Sequence, residues 1–280
     1  MQIDYLFATV SLIIQVSGSN LVGSATGFFF QDGTNNYLVS NRHVFTGETL
    51  PGTTPKPDKF ILPLHMDSSN LIDSAFLTLP IRGTSNAPIW LEHPLGQLVD
   101  IAALPLTDTN LTNTAIQWLS EKNFPPKEFG ILPGQDLFVM GYPQGFHDKL
   151  FNLPIIRNAL ASSAYGVPFE GNGFFLMDAR LHPGSSGSPV FSKPTRESPD
   201  GGIMVGGRPL VFLVGINSGE LKPIHGQTEA LGLHAAWYPR LIMDVIHNTN
   251  AASTNIPTPS EVTPFEDILE KSGYSKQFFP

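Results

Sequence analysis

The sequence predicts an all-β protein. Among its 280 residues are 26 glycines and 25 prolines, and both exceed their usual shares of roughly 7% and 5%. Charged residues make up only 14% of the chain, where about 25% is typical. Abundant turn residues and few charged faces favour many short strands over amphipathic helices. The length is sufficient for one large β domain or for two smaller lobes with a substantial core.

Apolar runs bounded by turn residues predict the strands of a first lobe, about residues 1–118. These strands are Leu6–Val16, Thr26–Phe30, Tyr37–Val39, Lys59–Leu64, Ala75–Leu79 and Ile101–Leu106. The second and third form a hairpin, because residues 31–36 have the composition of a loop.

A connection at about residues 119–134, which contains three prolines and two glycines, leads to a second lobe at about residues 135–248. Its predicted strands are Asp136–Gly141, Ile155–Ala161, Gly173–Met177, Ser188–Phe191, Leu210–Ile216 and Leu231–Trp237. Leu241–His247 is predicted to form a short terminal helix. Residues 249–280 are predicted to be a tail that is packed on the surface or partly disordered.

Charge and cysteine content exclude several kinds of function. The net charge of −8 argues against nucleic acid as a partner. The absence of cysteine excludes disulfides, a cysteine nucleophile and thiolate metal ligands. The eight histidines show no metal-ligand spacing such as His-Glu-x-x-His, so no metal site is predicted.

The N-terminal region favours a cytoplasmic protein with no membrane partner. Residues 1–40 contain no Lys or Arg, so the positive start of a signal peptide is missing. The apolar stretch Leu6–Ile14 is far shorter than the ~20 residues of a membrane span.

The first candidate for catalysis is His43, which follows the predicted strand Tyr37–Val39 and a polar turn. This position would place the imidazole at the edge of a β-lobe, facing a cleft. A lone histidine here is also compatible with an ordinary polar residue at a strand end, because histidine is only intermediate in its preference for burial.

The second candidate is Asp100, which lies among apolar residues in the segment Leu98–Leu104. A charged carboxylate in such surroundings is unfavourable unless it is paired, and a histidine Nδ1–H would stabilise it while orienting the ring. The alternative is an aspartate that caps a strand or turn. Asp73 also precedes an apolar run and is a second candidate for the acid.

The third candidate is Ser186, in the loop Pro183-Gly184-Ser185-Ser186-Gly187-Ser188. Gly184 and Gly187 permit backbone conformations that larger residues avoid. A tight loop of this kind can direct successive N–H groups to one point, as an oxyanion hole requires. Ser186 is then the nucleophile and the N–H groups of Gly184 and Ser186 are the donors. A plain Gly/Ser turn is the alternative.

Together these segments resemble bacterial trypsin-like peptidases, and in pattern the glutamyl-endopeptidase and high-temperature-requirement branches are most similar. Gly-Ser-Ser-Gly-Ser-Pro-Val resembles their nucleophile loop, Tyr-Leu-Val-Ser-Asn-Arg-His-Val their histidine strand, and Val-Asp-Ile-Ala-Ala-Leu their aspartate segment. The order His, Asp, Ser is that of chymotrypsin and differs from subtilisin and the α/β-hydrolases. The resemblance covers roughly residues 6–248.

The resemblance implies two six-stranded β-barrels, with the triad His43, Asp100 and Ser186 in the cleft between them. It favours Asp100 over Asp73, because Asp-Ile-Ala-Ala-Leu matches the family's aspartate segment more closely. Ser185 stands where digestive relatives carry an aspartate that pairs with a newly freed N-terminus. That activation switch is therefore not expected.

The resemblance also points to a substrate pocket. Arg180, six residues before the nucleophile, stands at its base, where cleavage after Lys or Arg would require an acid. Cleavage after Lys or Arg is therefore predicted to be disfavoured. Further residues expected to contact substrate are His182, Asn217, Ser218, Gly219 and His234.

The predicted function is that of a serine endopeptidase acting on protein or peptide substrates without a cofactor. One alternative is a protease-like scaffold that binds peptides or partners without cutting them. Another is an esterase, which is disfavoured because the chain lacks a Gly-x-Ser-x-Gly elbow and alternating β/α segments. The oligomeric state is left open by the sequence.

Overall fold

Thirteen strands, two short α-helices and five 3₁₀-helices make up the regular structure of the residues that the computed structural model describes. Those residues are 5–50, 52, 54–106, 109, 111–127, 129–196, 202–203, 205–221 and 231–249. Strands up to residue 105 form one sheet and strands from residue 136 onwards form another, and these two sheets are called the first and the second lobe.

The first lobe is a seven-stranded sheet. Its strands are β1 Val10–Ser17, β2 Asn20–Asp32, β3 Asn35–Ser40, β4 Lys59–His65, β5 Ser74–Pro80, β6 Leu91–Glu92 and β7 Ala102–Pro105. Their order across the sheet is β5-β4-β1-β2-β3-β7-β6, and neighbouring strands are antiparallel. Helix α1, Arg42–Thr46, follows β3 directly.

The second lobe is a closed barrel of six antiparallel strands. These are β8 Asp136–Gly141, β9 Ile155–Ala161, β10 Phe174–Ala179, β11 Pro189–Ser192, β12 Leu213–Glu220 and β13 Leu233–Trp237. The barrel closes in the order β10-β13-β12-β11-β8-β9. Helix α2, Leu241–His247, has the bounds that the sequence predicts.

The prediction of two six-stranded barrels is therefore confirmed only for the second lobe. In the first lobe, no pairing joins the end strands β5 and β6 within the described residues. The two-residue length of β6 gives that edge few backbone groups with which to pair. The fold as a whole is mostly β, as the composition predicts.

Strand β2 shows how the sequence builds two cores from one run of phenylalanines. Alternate residues of a strand point to opposite faces. Phe28 and Phe30 accordingly belong to a core cluster shared with the second lobe, whereas Phe29 belongs to the core of the first lobe. All three are at most 1% exposed, and burying one phenylalanine side chain contributes about 1.5–3 kcal/mol.

The shared core joins the two lobes and helix α2. It contains Phe28 and Phe30 of the first lobe, Phe138 and Phe191 of the second, and Leu241 of α2. Continuous packing of this kind holds the two lobes in one arrangement, so the cleft between them has defined walls.

No helix in the described part of the chain is long and apolar enough to cross a membrane. The predicted tail falls almost entirely on residues 250–280, which lie outside the described residues.

Candidate active site

His43 is held at the start of helix α1, directly after strand β3. Asn41 has an extended backbone, so the chain turns into the helix one residue before Arg42. The helix ends after five residues at Gly47, whose φ of 69° permits its N–H to bond the carbonyl oxygen of His43 at 2.9 Å. The Arg42 guanidinium bonds Glu92 of β6 at 2.9 Å and so ties the helix to the sheet edge.

Asp100 contacts both the ring and the backbone of His43. Its Oδ2 lies 2.7 Å from His43 Nδ1, and its Oδ1 accepts the His43 backbone N–H at 2.9 Å. The Asn41 side-chain amide donates to the Asp100 carbonyl oxygen at 2.8 Å. Because a carboxylate only accepts, Nδ1 carries the proton and Nε2 of the neutral ring is left as an acceptor.

Asp73, the other candidate acid, lies elsewhere. It is exposed in the turn before β5, where its N–H bonds the carbonyl oxygen of Asn70 at 3.0 Å. It is not among the described residues that line the cleft between the lobes.

Ser218 of strand β12 connects Asp100 to Ser186. Its hydroxyl donates to Asp100 Oδ2 at 2.6 Å, and its carbonyl oxygen accepts the Ser186 hydroxyl at 3.1 Å. The sequence suggested Ser218 as a substrate contact, and its bond to the acid was missed.

The loop before Ser186 is a tight turn from His182 to Ser185. The Ser185 N–H bonds the His182 carbonyl oxygen at 3.0 Å, with Pro183 and Gly184 between them. Gly184 has a φ of 90°, and proline followed by a residue of positive φ is the pattern of a type II turn. A Cβ at Gly184 would lie 2.7 Å from the backbone nitrogen of Gln144, so only glycine fits here.

The turn leaves two N–H groups free at the cleft. The Pro183 carbonyl oxygen accepts the Gln144 N–H at 2.6 Å, and the Ser185 carbonyl oxygen accepts the Asn217 side-chain amide at 2.8 Å. In a trans peptide the N–H points away from the carbonyl, so the N–H groups of Gly184 and Ser186 point away from these partners. Neither has an acceptor within the described chain.

The cleft between the lobes has a volume of about 610 Å³ and brings together most of the predicted site residues. The predicted residues that line it are His43, His182, Gly184, Ser186, Asn217, Ser218, Gly219 and His234. Arg180 does not line it: the residue is exposed, and its carbonyl oxygen accepts the Arg157 guanidinium at 2.7 Å.

Away from the His43–Asp100 pair, the lining of the cleft includes a buried histidine and an exposed glutamate. His234 is 5% exposed, and burial lowers its pKa despite the nearby Glu220 carboxylate. The imidazole is therefore neutral at pH 7. Glu220 is exposed and is the one carboxylate among the described lining residues; its Oε1 accepts the Gly232 N–H at 3.1 Å.

The sequence did not predict the residues that hydrogen-bond the loop carrying Ser186 and hold it in position. Thr26 and Gln144 bond the loop that carries Ser186. Thr26 directly precedes Gly27-Phe28-Phe29-Phe30 in the sequence, but no local pattern shows that it contacts a loop 158 residues away. The described chain also contains no cluster of three potential metal ligands.

A two-lobed β fold with an Asp–His pair and a serine at the cleft is the arrangement of chymotrypsin-like serine peptidases. A family model described as "Trypsin-like peptidase domain" matches residues 25–196. The chain belongs to this family, which makes it a serine peptidase.

Solved structures are similar to the chain at low identity. An inactive mutant of Rv3671c from M. tuberculosis is 15% identical with a TM-score of 0.48, and 87% of each chain is covered. A serine endoprotease from Yersinia pestis is 14% identical with a TM-score of 0.46, with coverage of 89% of this chain and 67% of that one. No curated protein sequence matches the chain.

Proposed function

We propose that the protein is a serine endopeptidase in which Ser186, His43 and Asp100 form the catalytic triad. The observation that carries the proposal is the 2.7 Å bond between His43 Nδ1 and Asp100, at a cleft that Ser186 also lines. This bond leaves Nε2 as the acceptor that a general base requires. The free N–H groups of Gly184 and Ser186 provide the matching oxyanion hole.

The first step is acylation. Rotation of the Ser186 side chain moves its hydroxyl from the Ser218 carbonyl to His43 Nε2, since catalytic hydrogen bonds often align only when substrate is bound. Oγ attacks the scissile carbonyl carbon while Nε2 takes its proton. Asp100 stabilises the resulting imidazolium, and the N–H groups of Gly184 and Ser186 bind the tetrahedral oxyanion.

The second step releases the products. The imidazolium of His43 gives its proton to the leaving amine as the C–N bond breaks, which leaves an acyl ester on Ser186. Water, deprotonated by His43, attacks the ester, and the tetrahedral intermediate collapses to a carboxylic acid and the free serine hydroxyl. The chemistry uses only protein groups and water.

The peptidase domain is proposed to extend over residues 1–248, with the connection at about residues 119–134. His182, Asn217, Ser218, Gly219 and His234 are proposed to contact substrate, because all five line the cleft. Arg180 is proposed to act at most indirectly, since its side chain lies outside the lining.

The proposal is tested by comparing the hydrolysis of fluorescently labelled casein by the wild-type protein, Ser186→Ala and Ser185→Ala. Ser186→Ala should lose about 10⁶ in turnover if the triad acts as a unit. The matched control Ser185→Ala removes the neighbouring hydroxyl and should stay within a few fold of wild type. Loss of activity in Ser185→Ala with retention in Ser186→Ala would overturn the assignment of the nucleophile.

A further inference from the structure

Thr26 of strand β2 is fully buried and connects the first lobe to the loop that carries Ser186. Its N–H bonds the Ser186 carbonyl oxygen at 2.9 Å. Its hydroxyl donates to the Gly184 carbonyl oxygen at 2.9 Å and accepts the Tyr142 N–H at 3.0 Å. One side chain therefore bonds the end of β8 and the proposed oxyanion loop at once.

The backbone of a neighbouring strand packs closely against this hydroxyl. A Cβ at Gly141 would lie 2.7 Å from Thr26 Oγ1, so the backbone of β8 passes directly against it. The Ser40 hydroxyl donates to the Thr26 carbonyl oxygen at 2.7 Å and fixes the residue from the side of β3.

The bond to Gly184 matters because glycine alone does not determine the direction of the peptide groups around it. Glycine adopts positive and negative φ with similar ease. The Pro183–Gly184 turn is therefore free to change type, and a change would redirect the Gly184 N–H. The Gln144 N–H holds the peptide that carries the Gly184 N–H, because it bonds the Pro183 carbonyl oxygen. The Thr26 hydroxyl holds the following peptide through the Gly184 carbonyl oxygen, so the backbone of Gly184 is fixed on both sides.

We propose that Thr26 is a positioning residue, an inference that rests on the proposed serine endopeptidase function. Its hydroxyl holds the Gly184–Ser185 peptide, fixes the Gly184 backbone on the side that Gln144 does not hold, and so keeps the Gly184 N–H directed at the oxyanion. The residue touches neither substrate nor the reacting atoms. It acts from the first lobe on a loop of the second, so the oxyanion hole is complete only when both lobes are in place.

Removal of the hydroxyl should reduce catalysis in a specific way. Thr26→Val keeps the β-branched shape but leaves the Gly184 carbonyl oxygen and the Tyr142 N–H without a partner. Loss of an entire oxyanion donor lowers kcat by about 10²–10³, so a donor that is present but misdirected should lower it by about 10–100-fold. KM should change by less than about threefold, because ground-state contacts are retained.

The experiment compares wild type with Thr26→Val, Thr26→Ser and the control Thr9→Val. Thr9 is also a buried threonine whose hydroxyl bonds a backbone carbonyl, that of Leu6 at 2.7 Å, but it does not line the cleft. Turnover and KM are measured with the best peptide from a library, and Ki with the aldehyde of that peptide. The aldehyde adduct places an oxygen where the oxyanion forms, so its Ki should rise in parallel with the fall in kcat. The melting temperature of each variant is recorded.

Thr26→Ser retains the hydroxyl and should return kcat and Ki to within a few fold of wild type, whereas Thr9→Val should alter only the melting temperature. Equal kcat in Thr26→Val and Thr9→Val would overturn the inference. A folded Thr26→Ser with a loss of more than 10-fold would also overturn it, even if Thr26→Val does not fold. A wild-type protein that neither cuts peptides nor binds the aldehyde would show instead that the proposed function itself is wrong.

Discussion

Replacing Asp100 with asparagine changes a single atom of the carboxylate, and the structure determines which one. The backbone N–H of His43 donates to Oδ1 at 2.9 Å. Because an N–H needs an acceptor, the amide oxygen of the new side chain must occupy the Oδ1 position. Its NH₂ group then occupies the Oδ2 position, 2.7 Å from His43 Nδ1.

This arrangement reverses the tautomer of the histidine. An NH₂ group can only donate, so Nδ1 must become the acceptor and the ring proton must move to Nε2. A protonated Nε2 cannot take the proton of Ser186, and the imidazolium also loses its negative partner. The expected fall in turnover is about 10⁴, which corresponds to about 5.4 kcal/mol of transition-state stabilisation.

The fold should tolerate the change, because the asparagine side chain keeps the bonds to the His43 N–H and, after rotation of its hydroxyl, to Ser218. A stability loss of about 1 kcal/mol would lower the melting temperature by only about 2–4 °C. The assay is peptide turnover at pH 7.5 with the melting temperature measured in parallel. The control is Asp73→Asn, since Asp73 is exposed in a turn away from the cleft. An Asp100→Asn enzyme within a few fold of wild type, or an inactive Asp73→Asn enzyme, would refute the reasoning.

Two further predictions concern specificity and pH. Peptide-library profiling should show that Lys and Arg are disfavoured at P1, the residue whose carbonyl is attacked, because the one carboxylate among the described lining residues, Glu220, is exposed and its charge is screened by solvent. Arg180→Ala should leave the profile unchanged, and a dominant Lys/Arg preference that Glu220→Gln removes would contradict this prediction. Burial lowers the pKa of His93 below its usual 6.5 although Asp244 opposes the shift. Below pH ~6.5 the unfolded chain therefore binds more protons at this residue than the folded chain does. The contribution of His93 to the free energy of unfolding should be constant above that pH and should fall as the pH drops towards the folded-state pKa. Urea unfolding at pH 7.5 and 5.5 should show a smaller pH-dependent loss in His93→Gln than in wild type, and equal losses would contradict the shift.

Much of the fold was predictable because apolar runs and turn residues mark short strands. Strands β8 and β9 and helix α2 have the predicted bounds. The first half of β2 was not predicted, because the two branched apolar residues of Asn20–Ala25, Leu21 and Val22, are adjacent and give no strand-like alternation. Helix α1 was missed as well, since five residues are too few for a helical period to be visible.

The closure of the first lobe was the part of the fold that the sequence did not determine. The predicted barrel in the first lobe came from a family resemblance and not from the strands themselves. Closing a sheet depends on pairing between strands that are distant in sequence. No local sequence pattern in the two-residue β6 or in the edge strand β5 predicts which strand it pairs with.

The proposed catalytic residues of the candidate site were predictable from short motifs, whereas the residues that hold them in position were not. His43, Asp100 and Ser186 each lie in a segment with a recognisable pattern. Thr26 contacts Gly184, which is 158 residues away in sequence, and Ser218 contacts Asp100, which is 118 residues away. Both contacts depend on how distant segments of the chain pack together. Such contacts cannot be predicted from local patterns in a single sequence.

Labelling with a fluorophosphonate, followed by mass-spectrometric mapping of the modified residue, tests most directly whether Ser186 is an activated nucleophile. The reagent forms a bond to the hydroxyl oxygen of a serine that an adjacent base activates, with loss of fluoride. We expect one modified residue, Ser186, in the wild-type protein and no modification in Asp100→Asn on the same timescale. Modification of Ser185 or Ser188 instead, or no labelling of a folded wild-type protein, would contradict the account.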